Sequence, residues 1–278
     1  MIAFLRCLAA LVLCHAGAAL AAGTLIVTEP LASPELGNAR ALRIWLPPSY
    51  ATAPGRRYPV LYLHDGQNVF EGRTSFSGVS WGVSETATRL IEAGEIEEFI
   101  AVGIDNTGNR VAEYTPCGDA NFAPGRLDRY GRFFMQSVKP FIDGRYRTRR
   151  GAADTAMMGS SVGALAALGI GMDYPDAVGK VAALSTSFWW GGGLATRRLG
   201  DPRQRLPSRL YIDVGTIDDD LDHTQAAVAA LRTRGRVPTT AFAFHVDEGG
   251  THHESSWAAR LDRPLRFFFG RRAPAGGH

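Results

Sequence analysis

The sequence predicts an α/β fold: a mostly parallel central sheet with helices on both faces. Two observations lead there. Short continuous apolar runs at 58–63, 99–104, 180–184 and 210–214 alternate with stretches of helical periodicity, the pattern of strands buried on both faces and joined by crossover helices. The run from Thr155 to Gly169 then reads as an apolar strand end, a Gly-x-Ser-x-Gly turn (Gly159 to Gly163) and a helix of small residues. That is the layout of a sharp strand-to-helix turn presenting one serine, Ser161, at its tip. With 278 residues and 45% apolar content, the chain has enough for one large core, which we assign to residues 22–272.

Residues 1–21 read as a secretory signal. Arg6 supplies the positive start, 7–20 is mostly apolar, and Ala19-Leu20-Ala21 offers a small-x-small cleavage site. The expectation is a secreted or periplasmic protein with no stable membrane span, because this run is too short to cross a bilayer and no later stretch is longer. Cys7 and Cys14 would leave with the signal, so Cys117 would have no internal disulfide partner. Segments 24–28 and 41–46 form an antiparallel start to the sheet. The strand at 58–63 feeds directly into His64-Asp65-Gly66-Gln67-Asn68. A helix at 79–93 and the strand at 99–104 follow, then a long polar stretch at 106–125 rich in Gly, Asn and Pro, of the kind that serves function in compact domains. An amphipathic helix at 127–142 precedes the elbow. Beyond the elbow come strands at 180–184, 210–214 and 240–246, with helices at 225–231 and 254–268 and a flexible Gly/Pro-containing tail at 273–278.

Charge excludes one class. The formal net charge is +3 and the arginines are scattered, so no basic stripe invites nucleic acid. Metals are not expected either. Asp218, Asp220 and Asp222 lack the glycine and distal glutamate of a calcium loop, and His253-Glu254 has Trp257 where a zinc helix needs its second histidine.

A serine hydroxyl is a weak nucleophile near neutral pH and needs an adjacent imidazole held in one tautomer by a carboxylate. In an open α/β sheet these groups belong on loops at the carboxyl ends of strands. Asp218 follows the strand ending at Val214, with Asp219 and Asp220 as rivals for the acid; His252 follows the strand ending at Val246, with His253 as its rival. An oxyanion needs two preorganised N–H donors. Val162, next after the nucleophile, supplies one, and Gly66 or Gln67 the other. Trp189 and Trp190 are candidates for the wall of an acyl or aromatic pocket, and Arg110 with the 106–125 stretch for a cover over the site.

The run from Val60 to Phe70, the elbow, Asp213-Val214-Gly215-Thr216 with its following acid, and Gly250-Thr251-His252-His253-Glu254-Ser255-Ser256-Trp257 together resemble the Putative esterase (esterase D-like) family of α/β-hydrolases. That family includes feruloyl and acetyl-xylan esterases, siderophore esterases, S-formylglutathione hydrolases and mycolyltransferases. The resemblance covers roughly residues 41–270. It implies an α/β-hydrolase fold and serine ester hydrolysis through an acyl-enzyme, on a small-molecule or glycan-linked ester and without a cofactor. Its His-x-Glu-x-x-Trp pattern points to His252 as the base, and its Gly-Thr-x-acid pattern to Asp218. Two other functions share these features: an acyltransferase using the same acyl-enzyme, and a non-catalytic glycan- or partner-binding module.

Overall fold

The structure, a computed structural model, describes residues 23–116, 124–235 and 241–271; the expected signal segment, Cys117 and the 273–278 tail lie outside them. Among the described residues ten strands are formed: β1 (Thr24–Val27), β2 (Leu31–Ser33), β3 (Asn38–Arg40), β4 (Leu42–Leu46), β5 (Val60–His64), β6 (Ile100–Ile104), β7 (Thr155–Ser160), β8 (Lys180–Leu184), β9 (Arg209–Ile217) and β10 (Phe242–Thr251). The helices are α1 (Val83–Glu92), α2 (Arg110–Tyr114), α3 (Leu127–Phe133), α4 (Lys139–Arg145), α5 (Val162–Asp173), α6 (Trp190–Gly200), α7 (Leu221–Arg232), α8 (Glu254–Arg260) and α9 (Asp262–Phe269).

Eight strands make one sheet in the order β1-β4-β6-β5-β7-β8-β9-β10, and β2 and β3 form a separate hairpin. β1 and β4 run antiparallel to their neighbours, and every pairing from β6 onward is parallel. β5, β6, β7 and β8 are buried at every position, as strands covered on both faces must be. Each face has its own apolar layer. One joins Tyr62, Val102, Met157 and Val181 to Phe133, Phe134, Leu165 and Leu231. The other joins Leu61, Leu63, Met158 and Ala182 to Leu90, Trp257, Leu265 and Phe268. The alternation of side chains along each strand feeds the two layers in turn.

The structure departs from the sequence reading in several places, beginning with the β2–β3 hairpin and with α1 and α7, which start at Val83 and Leu221 instead of 79 and 225. The amphipathic helix runs on to Arg145, with a wider turn at Phe134–Val138 between α3 and α4. The last helix is two, α8 and α9, meeting at Leu261. β9 continues to Ile217 and β10 to Thr251, with a register shift between Asp247 and Thr251 that Gly249, at φ 79°, accommodates. Helices α2 and α6 were not foreseen. α2 is only five residues long, and α6 opens through Gly191, Gly192 and Gly193 in left-handed conformations that carry no helical signal. Among the described residues no helix is long and apolar enough to cross a membrane.

Candidate active site

The strand-to-helix turn around Ser161 is built as its glycines require. β7 ends at Ser160 and α5 begins at Val162, leaving Ser161 between them at φ 58°, ψ −127°, a conformation that costs a non-glycine residue energy and persists only where its surroundings enforce it. The enforcement is visible. A Cβ on Gly159 would lie 2.3 Å from the carbonyl oxygen of Gly163, and one on Gly163 would lie 3.1 Å from Asp65 Oδ2. The chain therefore reverses in a space that admits glycine alone at 159. The Ser161 hydroxyl lies 3.4 Å from that of Ser187, in the loop after β8.

His252 follows β10, and its Nδ1 lies 2.9 Å from Oδ1 of Asp219. The expected acid, Asp218, is not the partner. β9 runs three residues past its predicted end, so the turn falls later. Asp218 occupies its apex, exposed and at φ 48°, and the next residue folds back under the strand. The Asp219 carboxylate is wholly buried. Its Oδ2 accepts the Gly215 N–H (2.8 Å) and the Ser185 hydroxyl (2.5 Å), and its Oδ1 also accepts the Asp220 N–H (2.9 Å). Burial alone would raise this carboxyl, but the bonds from His252, Ser185, Gly215 and Asp220 outweigh it and hold the pKa down to about 2. An ionised carboxylate only accepts, so His252 Nδ1 is the donor, and in the neutral imidazole it is Nε2 that carries the lone pair. His253 does not compete: its ring turns to Ser255, capping α8.

Beneath Asp219 lies a layer the sequence did not disclose. Ser185, buried and at φ 42°, accepts hydrogen bonds from Trp257 Nε1 (2.9 Å) and Arg260 Nη2 (2.8 Å), which leaves its own proton for Asp219. Arg260 is itself paired with the buried Asp213 (3.0 Å) and with Asp247 (3.1 Å). The available signal was the i, i+3 spacing of Trp257 and Arg260 directly after His252, which puts both on one face of α8.

On the other side of the elbow, the segment after β5 forms a tight turn, Gly66–Asn68, entered through Asp65 at φ 57°. Gly66 has no room for a side chain, since a Cβ would lie 2.6 Å from both the Gly103 backbone and Asp105 Oδ1. The Gln67 side chain exchanges two hydrogen bonds with Asn106 (2.6 and 3.0 Å). Among the described residues no hydrogen bond occupies the N–H of Gly66, Gln67 or Val162.

Ser161 and His252 line one cavity of about 830 Å³, together with Asp65, Gln67, Arg110 and Trp257. Arg110 lines the cavity with Asn106, Thr107 and Gly108, while residues 117–123 of the expected cover lie outside the described residues. The two predicted pocket tryptophans do not line it. Trp190 is buried in the core and Trp189 is half-exposed beyond the cavity; the aromatic walls are Phe76, 94% exposed at the rim, and Trp257. Both tryptophans follow β8 at the correct end of the sheet, but neither lines the cavity: Trp189 stands at the N-cap of α6 and Trp190 is its first residue.

A family profile described as Putative esterase matches residues 33–268. The chain belongs to this family. Its sheet order, elbow and strand-end loops are those of an α/β-hydrolase, and its activity class is carboxylic ester hydrolysis. Among curated proteins, this esterase-family chain is 22% identical over 256 residues to the uncharacterized protein YbbA of Bacillus subtilis (strain 168), covering 87% of the chain and 96% of YbbA. Among solved structures, the enterobactin esterase FES of Shigella flexneri superposes with a TM-score of 0.68 at 21% identity, over 88% of this chain but only 59% of FES. A ferulic acid esterase superposes with a TM-score of 0.66 at 23% identity, over 89% of this chain and 97% of that one. Likeness at this level of identity speaks for the fold alone.

Proposed function

We propose that the protein hydrolyses carboxylic esters through an acyl-enzyme on Ser161, with His252 as base and then acid and Asp219 as the carboxylate that orients it. The observation that carries this reading is the fixed tautomer. Asp219 holds His252 by Nδ1, so the free Nε2 lone pair is available in the cavity that Ser161 also lines. In the first half-reaction Ser161 Oγ bonds to the ester carbonyl carbon while its proton passes to His252 Nε2. Collapse of the tetrahedral adduct returns that proton to the departing alkoxide, and water then repeats the sequence to free the acid. Val162 N–H and Gln67 N–H hold the oxyanion. Gln67 is favoured over Gly66 because Gln67 lines the cavity while Gly66 is packed against β6. The cavity suits a small ester or the ester-bearing end of a glycan. Mapping a fluorophosphonate probe by mass spectrometry tests the assignment. We expect a single adduct on Ser161, none in Ser161→Ala, and turnover of p-nitrophenyl acetate lost with it. An adduct elsewhere, or undiminished turnover, refutes it.

Export belongs to the same proposal. The composition of residues 1–21 supports cleavage after Ala21. N-terminal sequencing of protein recovered outside the cytoplasm should begin at Ala22, and an intact Met1 there would contradict it.

A further inference from the structure

Asp65 raises a problem for the donor loop. Its carboxylate is 97% buried and stands against the first turn of α5, 3.1 Å from where a Cβ on Gly163 would be. It thus stands beside the residue next along the chain from Val162, and its own residue opens the turn that presents the Gly66 and Gln67 N–H groups. A bare carboxylate there would oppose the negative charge that those donors are meant to receive, because like charges in a shielded site repel strongly. One side chain answers it. Arg110, on α2, places Nε 2.7 Å from Asp65 Oδ1 and Nη2 2.7 Å from Oδ2, a two-pronged contact that cancels the charge and fixes the plane of the carboxylate. The neighbours complete a frame. Asn106 Nδ2 donates to Asp65 Oδ1 (2.5 Å) while its backbone N–H donates to Gln67 Oε1, and Asp65 N–H donates to the Tyr114 hydroxyl (3.2 Å). α2 is in turn tied to β3 by the buried Arg40–Glu113 pair (2.8 Å).

Building on the proposed acyl-enzyme mechanism, we infer that Arg110 is a positioning residue that neutralises Asp65 beside the oxyanion donors, rather than a contact for the substrate. The two roles part clearly, because a counter-charge is needed only while the charge is there. A substrate contact is lost with Arg110 whatever stands at 65. A counter-charge becomes dispensable once Asp65 is made neutral.

The test is a double-mutant cycle of Arg110→Ala, Asp65→Asn and both together, measured with p-nitrophenyl acetate and p-nitrophenyl butyrate. Ser161→Ala serves as the inactive reference. Arg110→Ala should lower kcat about 10²-fold on both esters alike, the size of losing an oxyanion donor, with KM little changed. The double variant should recover about tenfold or more of that loss. If Arg110→Ala does not fold, the comparison of Asp65→Asn with the double variant carries the test, and Arg110 should then be worth less than about threefold. The inference is overturned if Arg110→Ala raises KM alone, if its effect depends on the acyl chain, or if the double variant is no faster than Arg110→Ala. A wild-type protein that turns over neither ester, with Ser161 unlabelled, defeats the acyl-enzyme reading itself, a different failure from any within the cycle.

Discussion

Replacing Asp219 by asparagine keeps the shape of the side chain and removes its charge. The buried carboxylate receives four hydrogen bonds, two at each oxygen: His252 and the Asp220 N–H at Oδ1, Ser185 and the Gly215 N–H at Oδ2. An amide has one acceptor end. If its NH₂ takes the Oδ2 position, it confronts the N–H of Gly215. If it takes the Oδ1 position, it confronts the N–H of Asp220 and obliges His252 Nδ1 to accept. The imidazole proton then moves to Nε2, the atom that must take the proton of Ser161. The lowered carboxyl pKa, about 2 against an ordinary 3.8, measures the preference for the charged form at about 2 kcal/mol. That preference belongs to the resting protein; in turnover the wrong tautomer is what counts, and on the proposed mechanism kcat should fall about 10³–10⁴-fold, or about 4–5.5 kcal/mol of transition-state stabilisation. Asp218→Ala, at the exposed apex of the same turn, should stay within about threefold of wild type, since surface changes of this kind are worth about 0.5 kcal/mol or less. Initial rates on p-nitrophenyl acetate, with thermal melts to confirm folding, decide the matter. If Asp219→Asn keeps a tenth of its activity while Asp218→Ala loses a thousandfold, the assignment of the acid is wrong.

Gly159→Ala sets a Cβ 2.3 Å from backbone that has nowhere to go, so it should cost about 3 kcal/mol, seen as a lower denaturant midpoint; an unchanged midpoint would mean the elbow is looser than described. Burial holds His64 down to about 4 from 6.5, with the nearby charges of Asp65, Arg110 and Arg40 acting in both directions. The unfolded chain therefore binds a proton at this residue that the folded chain refuses between those values, and stability should decline as pH falls from 6.5 to 4, by at most about 3 kcal/mol. His64→Gln should flatten that part of the Tm–pH curve, and an unaltered slope would place the effect elsewhere. Phe76→Ala should leave Tm unchanged and raise KM for aromatic esters, whereas Trp189→Ala should leave KM unchanged; the reverse pattern would restore the tryptophan pocket.

The sheet and the elbow were readable because each rests on a local rule. β5, β6 and β8 announce themselves as unbroken apolar runs, and Gly159 and Gly163 flank Ser161 at the spacing a strained turn needs. The partner of His252 lies one residue beyond Asp218, to which the Gly-Thr-x-acid pattern points, for a reason no local rule contains. Whether Asp218 or Asp219 faces inward depends on where β9 stops, and β9 stops late because Ile217 pairs with Thr251 of a strand more than thirty residues away. The aromatic residues that line the cavity were hidden likewise. Phe76 sits among Ser75 and Ser77 with nothing periodic about it, and Trp189-Trp190 sit where a pocket would be expected until the turn after β8 is known. Ser185 is the extreme case, because its importance lies entirely in three partners drawn from two distant segments.

Those partners tie the machinery to the end of the chain. α8 begins two residues after His252, and from it Trp257 and Arg260 reach back to the serine that supports Asp219. α8 therefore carries two of the three partners of Ser185 and starts two residues after His252, so the support beneath Asp219 and the placement of its imidazole partner share one short segment. The same linkage joins the last described helices to this cluster: a break anywhere between His252 and Arg260 would part His252 from the residues that support its partner, Asp219.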